Sequence, residues 1–201
     1  VALDARVRVS AQRPAGADKL AIQPYPQHLI ETFEWRDQTV TLRPIRPEDE
    51  AQHLEFLSRI DPQDIRMRIL YSRRSIEHSE LARLTQIDYA REMAFIATRA
   101  LPDGGQETLG AVRASVDPDN HTAEFGVLVR SDLKGSGLGR RLMDKLIAHL
   151  KARGTQEVVG TVLRANTGML ELARKLGFVI SDHPGEPQEQ ETRYIRLDLQ
   201  A

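Results

Sequence analysis

The sequence predicts an α/β fold of the mixed α+β kind, with one central sheet of about seven strands that is mostly antiparallel. Three observations carry this. From residue 92 to residue 130 the runs "EMAFIATRAL", "ETLGAVRASVD" and "TAEFGVLVR" show strand patterning and are separated only by the turn sequences "PDGG" and "PDNH", which makes an antiparallel meander. The next segment places Leu138, Leu142, Met143, Leu146, Ile147 and Leu150 on one helical face and Arg140, Arg141, Asp144, Lys145 and Lys151 on the other. "QEVVGTVLR" follows as a further strand, and a strand reached through a helix can lie parallel to "TAEFGVLVR" by a right-handed crossover.

The other elements fall around this centre. "VALDARVRVS" is strand-like, starts without methionine and runs into "RPAGADKL", so residues 1–23 are expected to be a remnant and linker of a longer protein, with the domain at 24–201. In "TVTLRPIRPEDE" the alternation at Val40 and Leu42 gives a strand, and Pro44 and Pro47 lead into a helix from about Glu48. "DPQDIRMRIL" and "SIEHSELARLTQI" carry helical apolar spacing, with Ser75 or Ser79 available as a cap. Beyond the crossover, Asn166 can cap a helix with Met169, Leu170, Ala173 and Leu176 on its apolar side and Gly177 at its end. "FVISD" and "TRYIRLDL" complete the sheet across the polar "HPGEPQEQE".

Composition narrows the function classes. The chain of 201 residues has a formal net charge of −1, which gives no whole-molecule attraction to nucleic acid or to an anionic membrane. It contains no cysteine, which removes disulfides, thiolate metal sites and a cysteine nucleophile together and fits a cytoplasmic location. No apolar run approaches the ~20 residues that span a bilayer. The six histidines show no ligand spacing, and no metal site is expected.

The most informative stretch is "VRSDLKGSGLGRRLM", where Gly135, Gly137 and Gly139 alternate between a strand and a helix. Glycines at such a turn let the backbone approach a ligand, and the unpaired N–H groups of the helix's first turn suit a phosphate or pyrophosphate. From Ala123 to Gly154 there are seven Lys or Arg against three acids, which supports an anionic ligand, although Lys145, Lys151 and Arg153 read better as a solvated helix face. The nucleoside triphosphatase phosphate loop fits poorly, because Gly139 is followed by Arg140 and Arg141. The dinucleotide fingerprint fits poorly too, because the spacing is Gly-x-Gly-x-Gly and the next strand ends in Leu163-Arg164 without an acid.

"KGSGLGRRLM", preceded by "FGVLV" and followed by "NTGMLELARKLGF", resembles the acyl-CoA-binding core of the GNAT N-acetyltransferases. A closer resemblance is to the GNAT domain at the C-terminal end of the bacterial protein lysine acetyltransferases called Pat, carried by "TLRPIRPEDE", "LTQIDYAREMAFIA", "AEFGVLVRSDLKGSGLGRRLM" and "GMLELARKLGF". The resemblance implies helices on both sheet faces and a splay between two parallel strands. It implies that the backbone amides of Gly135, Ser136, Gly137, Leu138, Gly139 and Arg140 hold the CoA pyrophosphate, with Lys134 beside them where Gln or Arg is commoner. Val127, Leu128 and Val129 would pair by main chain with the pantetheine arm, next to Asn166. It also implies acetyl-CoA as donor, a lysine on a target protein such as an acyl-CoA synthetase as acceptor, and an acyl-CoA-synthetase-like region upstream as a regulatory partner.

The chemistry needs a base, since a lysine amine of pKa about 10.4 is neutral in roughly one molecule per 2,500 at pH 7. On the residues alone Glu124 reads as a solvated strand residue; the resemblance implies that it is the catalytic base. Strand alternation puts it on one face with Gly126 and Leu128. Two departures from the family pattern matter. Ala173 stands where many GNATs carry a tyrosine that protonates the leaving thiolate, and Thr161 stands where some carry a glutamate. Two alternatives stand beside the protein acetyltransferase: an acetyltransferase for a small amine, and a catalytically weak acyl-CoA sensor.

Overall fold

The computed structural model describes residues 23–64, 78–182 and 191–200. The expected N-terminal remnant, most of the helix over "DPQDIRMRIL" and most of the "HPGEPQEQE" loop lie outside the described residues.

Eight strands form one sheet: β1 (Glu31–Trp35), β2 (Gln38–Pro44), β3 (Glu92–Ala100), β4 (Gln106–Val116), β5 (Thr122–Val129), β6 (Glu157–Leu163), β7 (Val179–Ser181) and β8 (Thr192–Asp198), in the order β1-β2-β3-β4-β5-β6-β8-β7. Among the described residues four helices accompany it: α1 (Glu50–Ser58), α2 (His78–Thr85), α3 (Leu138–Ala152) and α4 (Thr167–Lys175). Every neighbouring pair of strands is antiparallel except β5 and β6, the pair joined through α3.

The strand that the sequence reading did not contain is β1. It folds back on β2 through a two-residue turn in which Arg36 (φ 50°) and Asp37 (φ 58°) both take the left-handed conformation of a tight hairpin. Its alternation of half-buried Phe33 and Trp35 with exposed Thr32 and Glu34 is that of an edge strand with one face on the core.

Two apolar layers explain the stacking. On one face α3 buries Leu138, Leu142, Met143, Leu146 and Leu150 against Val40, Leu42, Phe95, Val112 and Ala123, with Leu170 and Ala173 of α4 closing the far side. On the other face Ile45, Ala94 and Ile96 form a smaller cluster. Helix α3 sits close to the sheet because β4 has a glycine under it: a Cβ at Gly110 would stand 2.9 Å from Leu142 Cδ1 and 3.2 Å from the Leu128 carbonyl oxygen.

The entry into α1 is held by a buried ion pair. Both terminal guanidinium nitrogens of Arg43 donate to the Asp49 carboxylate at 2.7 Å, and the Arg46 N–H adds a third 2.7 Å bond. A bidentate pair with its remaining lone pair satisfied is the geometry in which buried charge is tolerated. The expected helix near Glu48 therefore begins as a 3-10 turn over Pro47–Asp49 and becomes α-helical at Glu50.

Candidate functional site

Strand β5 is fully zipped on one side and barely paired on the other. Its antiparallel ladder to β4 runs from Val116–Ala123 to Gly110–Val129. Its parallel ladder to β6 covers only Thr122–Glu157, Ala123–Val158 and Glu124–Val159. Beyond Glu124 the strands part, while β6 stays paired to β8 as far as Leu163. A cleft of about 160 Å³ opens there, lined by Phe125 to Val129 on one wall and Gly160 to Val162, Asn166 and Met169 on the other. At the crotch, a Cβ on Gly160 would stand 3.0 Å from Phe125 Cε1, so the glycine makes room for that ring.

The open edge of β5 has a definite polarity. Arg130 donates its N–H to the Leu109 carbonyl and Glu157 donates to the His121 carbonyl, so even-numbered residues of β5 bond toward β4 and odd-numbered ones toward β6. Past the fork, Val127 and Val129 therefore present N–H and C=O to the cleft. Leu128, expected with them, spends its own on β4 and lines the cleft only by its position.

At the upper end of the cleft lies the glycine loop. A 3-10 turn over Ser131–Leu133 leads to Gly135 (φ 70°) and to Gly137 (φ 85°), the N-cap of α3. Glycine is required at both by the left-handed backbone and not by crowding, since a Cβ there would meet nothing within 4 Å. The first intrahelical bond runs from the Arg141 N–H to the Gly137 carbonyl, and the Leu138 N–H reaches Ser136 Oγ at 3.4 Å. The Ser136 N–H, expected with its neighbours at the ligand, is spent on the Leu133 carbonyl at 3.3 Å, while the N–H groups of Gly135, Gly137, Gly139 and Arg140 find no acceptor among the described residues, an arrangement suited to an anion at the positive end of a four-turn helix.

The basic surplus counted in the sequence is largely spent on pairs. Arg130 binds Glu107 at 2.5 Å and Asp132 at 2.6 Å. Arg140 meets Asp144 and the Lys175 carbonyl, each at 3.2 Å. Lys145 binds Glu31 at 2.7 Å, with Arg141 3.6 Å from the same carboxylate. Lys134 pairs with Asp64, which also accepts from Ser131 Oγ at 2.6 Å and itself lines the cleft. What this loop can offer an anion is therefore first its backbone N–H groups.

Glu124 occupies the last paired position before the fork, opposite Val159. Its side chain is exposed, and no described residue hydrogen-bonds or ion-pairs with its carboxylate. On the same sheet face, Thr161 is in register with Tyr194 of β8. Burial pushes the Tyr194 phenol up from its ordinary pKa, and the charges of Glu157 and Glu124 push it further the same way. Asn166 caps α4 as expected, its Oδ1 accepting from the Met169 N–H at 3.1 Å, and it lines the cleft. Ala173, at the position of the missing tyrosine, is wholly buried in the core.

The structure thus gathers Val127, Leu128, Val129, Lys134 and Asn166 around one cleft, with the glycine loop above it and Glu124 at its foot. Three neighbours escaped the sequence reading: Asp64, Tyr194 and Trp35, whose Nε1 donates to the Ser136 carbonyl at 3.2 Å. Only Trp35 had a sequence signal, the alternation of β1. The segment around Asp88 to Glu92 serves as a structural turn: Tyr89 Oη donates to the Ile45 carbonyl at 2.6 Å, and Arg153 binds the carbonyls of Tyr89 and Ala90. His149 is half-buried edge-on to Phe95 at 5.7 Å, and burial takes its imidazole down to about 4. No group of His, Asp and Glu suited to a metal ion occurs among the described residues, and no helix among them is long and apolar enough to cross a membrane.

Comparison with known proteins agrees with this geometry. The model of the acetyltransferase (GNAT) family matches residues 61–178. The chain is 29% identical over 159 residues to Acetyltransferase PA5475 of Pseudomonas aeruginosa, covering 79% of this chain and 84% of that protein. It is 30% identical over 125 residues to an L-methionine sulfoximine/L-methionine sulfone acetyltransferase of the same organism, covering 56% and 73%. Among solved structures, the GNAT domain of S. lividans PAT superposes with a TM-score of 0.75 at 21% identity, covering 87% of this chain and 99% of that domain.

Proposed function

This chain belongs to the acetyltransferase (GNAT) family, and from that premise we propose that it transfers the acetyl group of acetyl-CoA to the side-chain amine of a lysine on a target protein. The carrying observation is the position of Glu124, an exposed carboxylate without a described partner at the point where β5 and β6 part. An exposed base suits an acceptor presented on another protein's surface. The resemblance to Pat supports acyl-CoA synthetases as the class of target, and an upstream acyl-CoA-synthetase-like region as the regulator.

In this reading the N–H groups of Gly135, Gly137, Gly139 and Arg140 hold the pyrophosphate. Val127 and Val129 clamp the pantetheine arm by main chain, as a strand would. Asn166 offers its Nδ2 from the opposite wall, since its Oδ1 is spent on the cap. Glu124 takes a proton from the lysine ammonium, directly or through water, and the freed amine attacks the thioester carbonyl carbon. The C–N bond forms, the C–S bond breaks, the attacking nitrogen releases its second proton to solvent, and the departing sulfur receives one. Tyr194, in register with Thr161 on the Glu124 face, is the donor we assign, since a phenol is protonated at neutral pH. Attack is direct, because a chain without cysteine has no thiol to carry the acetyl group.

A second reading, transfer to a small-molecule amine, is favoured by the 30% identical L-methionine sulfoximine/L-methionine sulfone acetyltransferase. Mass spectrometry of products separates the two. With acetyl-CoA and a panel containing an acyl-CoA synthetase, free polyamines and methionine sulfone, the first reading expects acetyl-lysine on the protein, lost in Glu124→Gln. Acetylation of a small amine alone would establish the second. Binding of acetyl-CoA without any product would leave an acyl-CoA sensor.

A further inference from the structure

The glycine loop and the fork together account for a pyrophosphate and a pantetheine arm, but an acyl-CoA carries a purine and a third phosphate beyond them. Recognition of that end needs an aromatic face and a cation that is not already neutralised. Next to the loop the structure holds both, on the β1–β2 hairpin. Trp35 Nε1 donates to the Ser136 carbonyl at 3.2 Å, which pins the indole against the loop. The guanidinium of Arg36 lies over that ring, 4.9 Å from its centroid.

Three properties distinguish this pair from its surroundings. The indole is half-buried, its one polar atom is spent on the loop, and its ring face carries the Arg36 guanidinium, whose own plane is what the pair offers a further ring. Arg36 is exposed and has no carboxylate partner among the described residues, whereas Lys134, Arg140 and Arg141 all have one. The turn that carries Arg36 has a defined shape, because Arg36 and Asp37 both hold left-handed backbone conformations. A guanidinium can stack by its plane and donate from its edge at the same time.

We propose that Trp35 and Arg36 form a subsite for the adenosine 3′-phosphate end of CoA, the adenine stacking on the guanidinium-indole pair and the phosphate accepting from the edge of Arg36. The inference rests on the acyl-CoA reading of the fork. It gives β1 a function: the hairpin braces the loop through Ser136 and extends the site past it.

Trp35 is the only tryptophan in the chain, so its fluorescence reports on this subsite directly. The test titrates the protein with CoA, dephospho-CoA and 4′-phosphopantetheine, following fluorescence and calorimetric affinity in parallel, and repeats the series with Arg36→Asn, a residue that tolerates the left-handed backbone. The expected result is a fluorescence change with CoA and dephospho-CoA but not with 4′-phosphopantetheine. Arg36→Asn should weaken CoA by about tenfold, the size of one charge-assisted contact, and leave 4′-phosphopantetheine unchanged. If CoA binds by calorimetry while Trp35 stays silent and Arg36→Asn binds it equally well, the subsite is overturned and the fork reading stands. If the wild-type protein gives no calorimetric binding of CoA, both are overturned. A loss in Arg36→Asn that falls equally on 4′-phosphopantetheine would mean that Arg36 only supports the loop, and would also overturn the subsite.

Discussion

The two edges of β5 use the same backbone for opposite purposes. Toward β4 the strand is paired along its whole length; toward β6 it is paired at three positions and then left open. Side-chain charge divides the same way. At the entry to α1 Asp49 is buried and holds three 2.7 Å bonds, whereas Glu124 at the fork is exposed with none among the described residues. A carboxylate that holds the fold has its lone pairs filled by the protein, and one that exchanges a proton with a substrate must keep them available.

Exchanging the two carboxylates' properties breaks this contrast most strongly. Glu124→Gln should lower the acetyl-transfer rate by about 10²–10⁴-fold, the usual worth of a positioned base. Its thermal unfolding and acetyl-CoA affinity should match the wild type. Asp49→Ala should do the reverse: it leaves the Arg43 guanidinium buried without its partner and should cost about 3–5 kcal/mol in urea unfolding, with turnover per folded molecule retained.

A smaller effect comes from His53 of α1, on the zipped side. Burial, helped by the nearby positive charge of Arg113, holds its imidazole at about 4 against an ordinary 6.5. The unfolded chain therefore takes up a proton that the folded chain refuses as pH falls below 6.5. Stability should be lost from 6.5 down to about 4, by roughly 3 kcal/mol at the lower end. His53→Leu should flatten that slope in urea titrations across the same window.

The glycines sharpen the comparison further. Gly110→Ala drives a methyl into Leu142 on the zipped side and should cost about 1–3 kcal/mol as overpacking. Gly137→Ala meets no atom but must hold φ 85°, which should cost about 1–2 kcal/mol and distort the N–H groups of the loop, so CoA affinity falls with it. Gly139→Ala would make ordinary contacts of 3.6 Å with Val129 and 3.7 Å with Leu172, and its stability should stay within about 0.5 kcal/mol of the wild type.

Much of this was legible in the sequence because local signals agreed with the global fold. The meander, the amphipathic α3, the Asn166 cap and the Gly177 stop all follow from patterns within a few residues of themselves, and each is found in place. Strand β1 was not read: five residues long with two glutamates, it turns through Arg36 and Asp37 without the glycine that usually marks a hairpin. The glycine loop announced itself, but the neutralisation of its basic neighbours did not. The pairs Lys134–Asp64 and Lys145–Glu31 join residues 70 and 114 positions apart, a relation no local pattern contains. Tyr194 reaches the Glu124 face only through the β6–β8 register, so strand alternation on its own gave no reason to choose it.

Amide hydrogen exchange at β5, with and without acetyl-CoA, tests the open edge most directly. The Gly126 and Leu128 amides, bonded to β4, should be protected in both states, and Val127 and Val129 should exchange quickly in the free protein and become protected when acetyl-CoA binds. Binding of acetyl-CoA with Val127 and Val129 still exchanging at their free rates would contradict this, because the main chain of the fork would then not be what holds the cofactor.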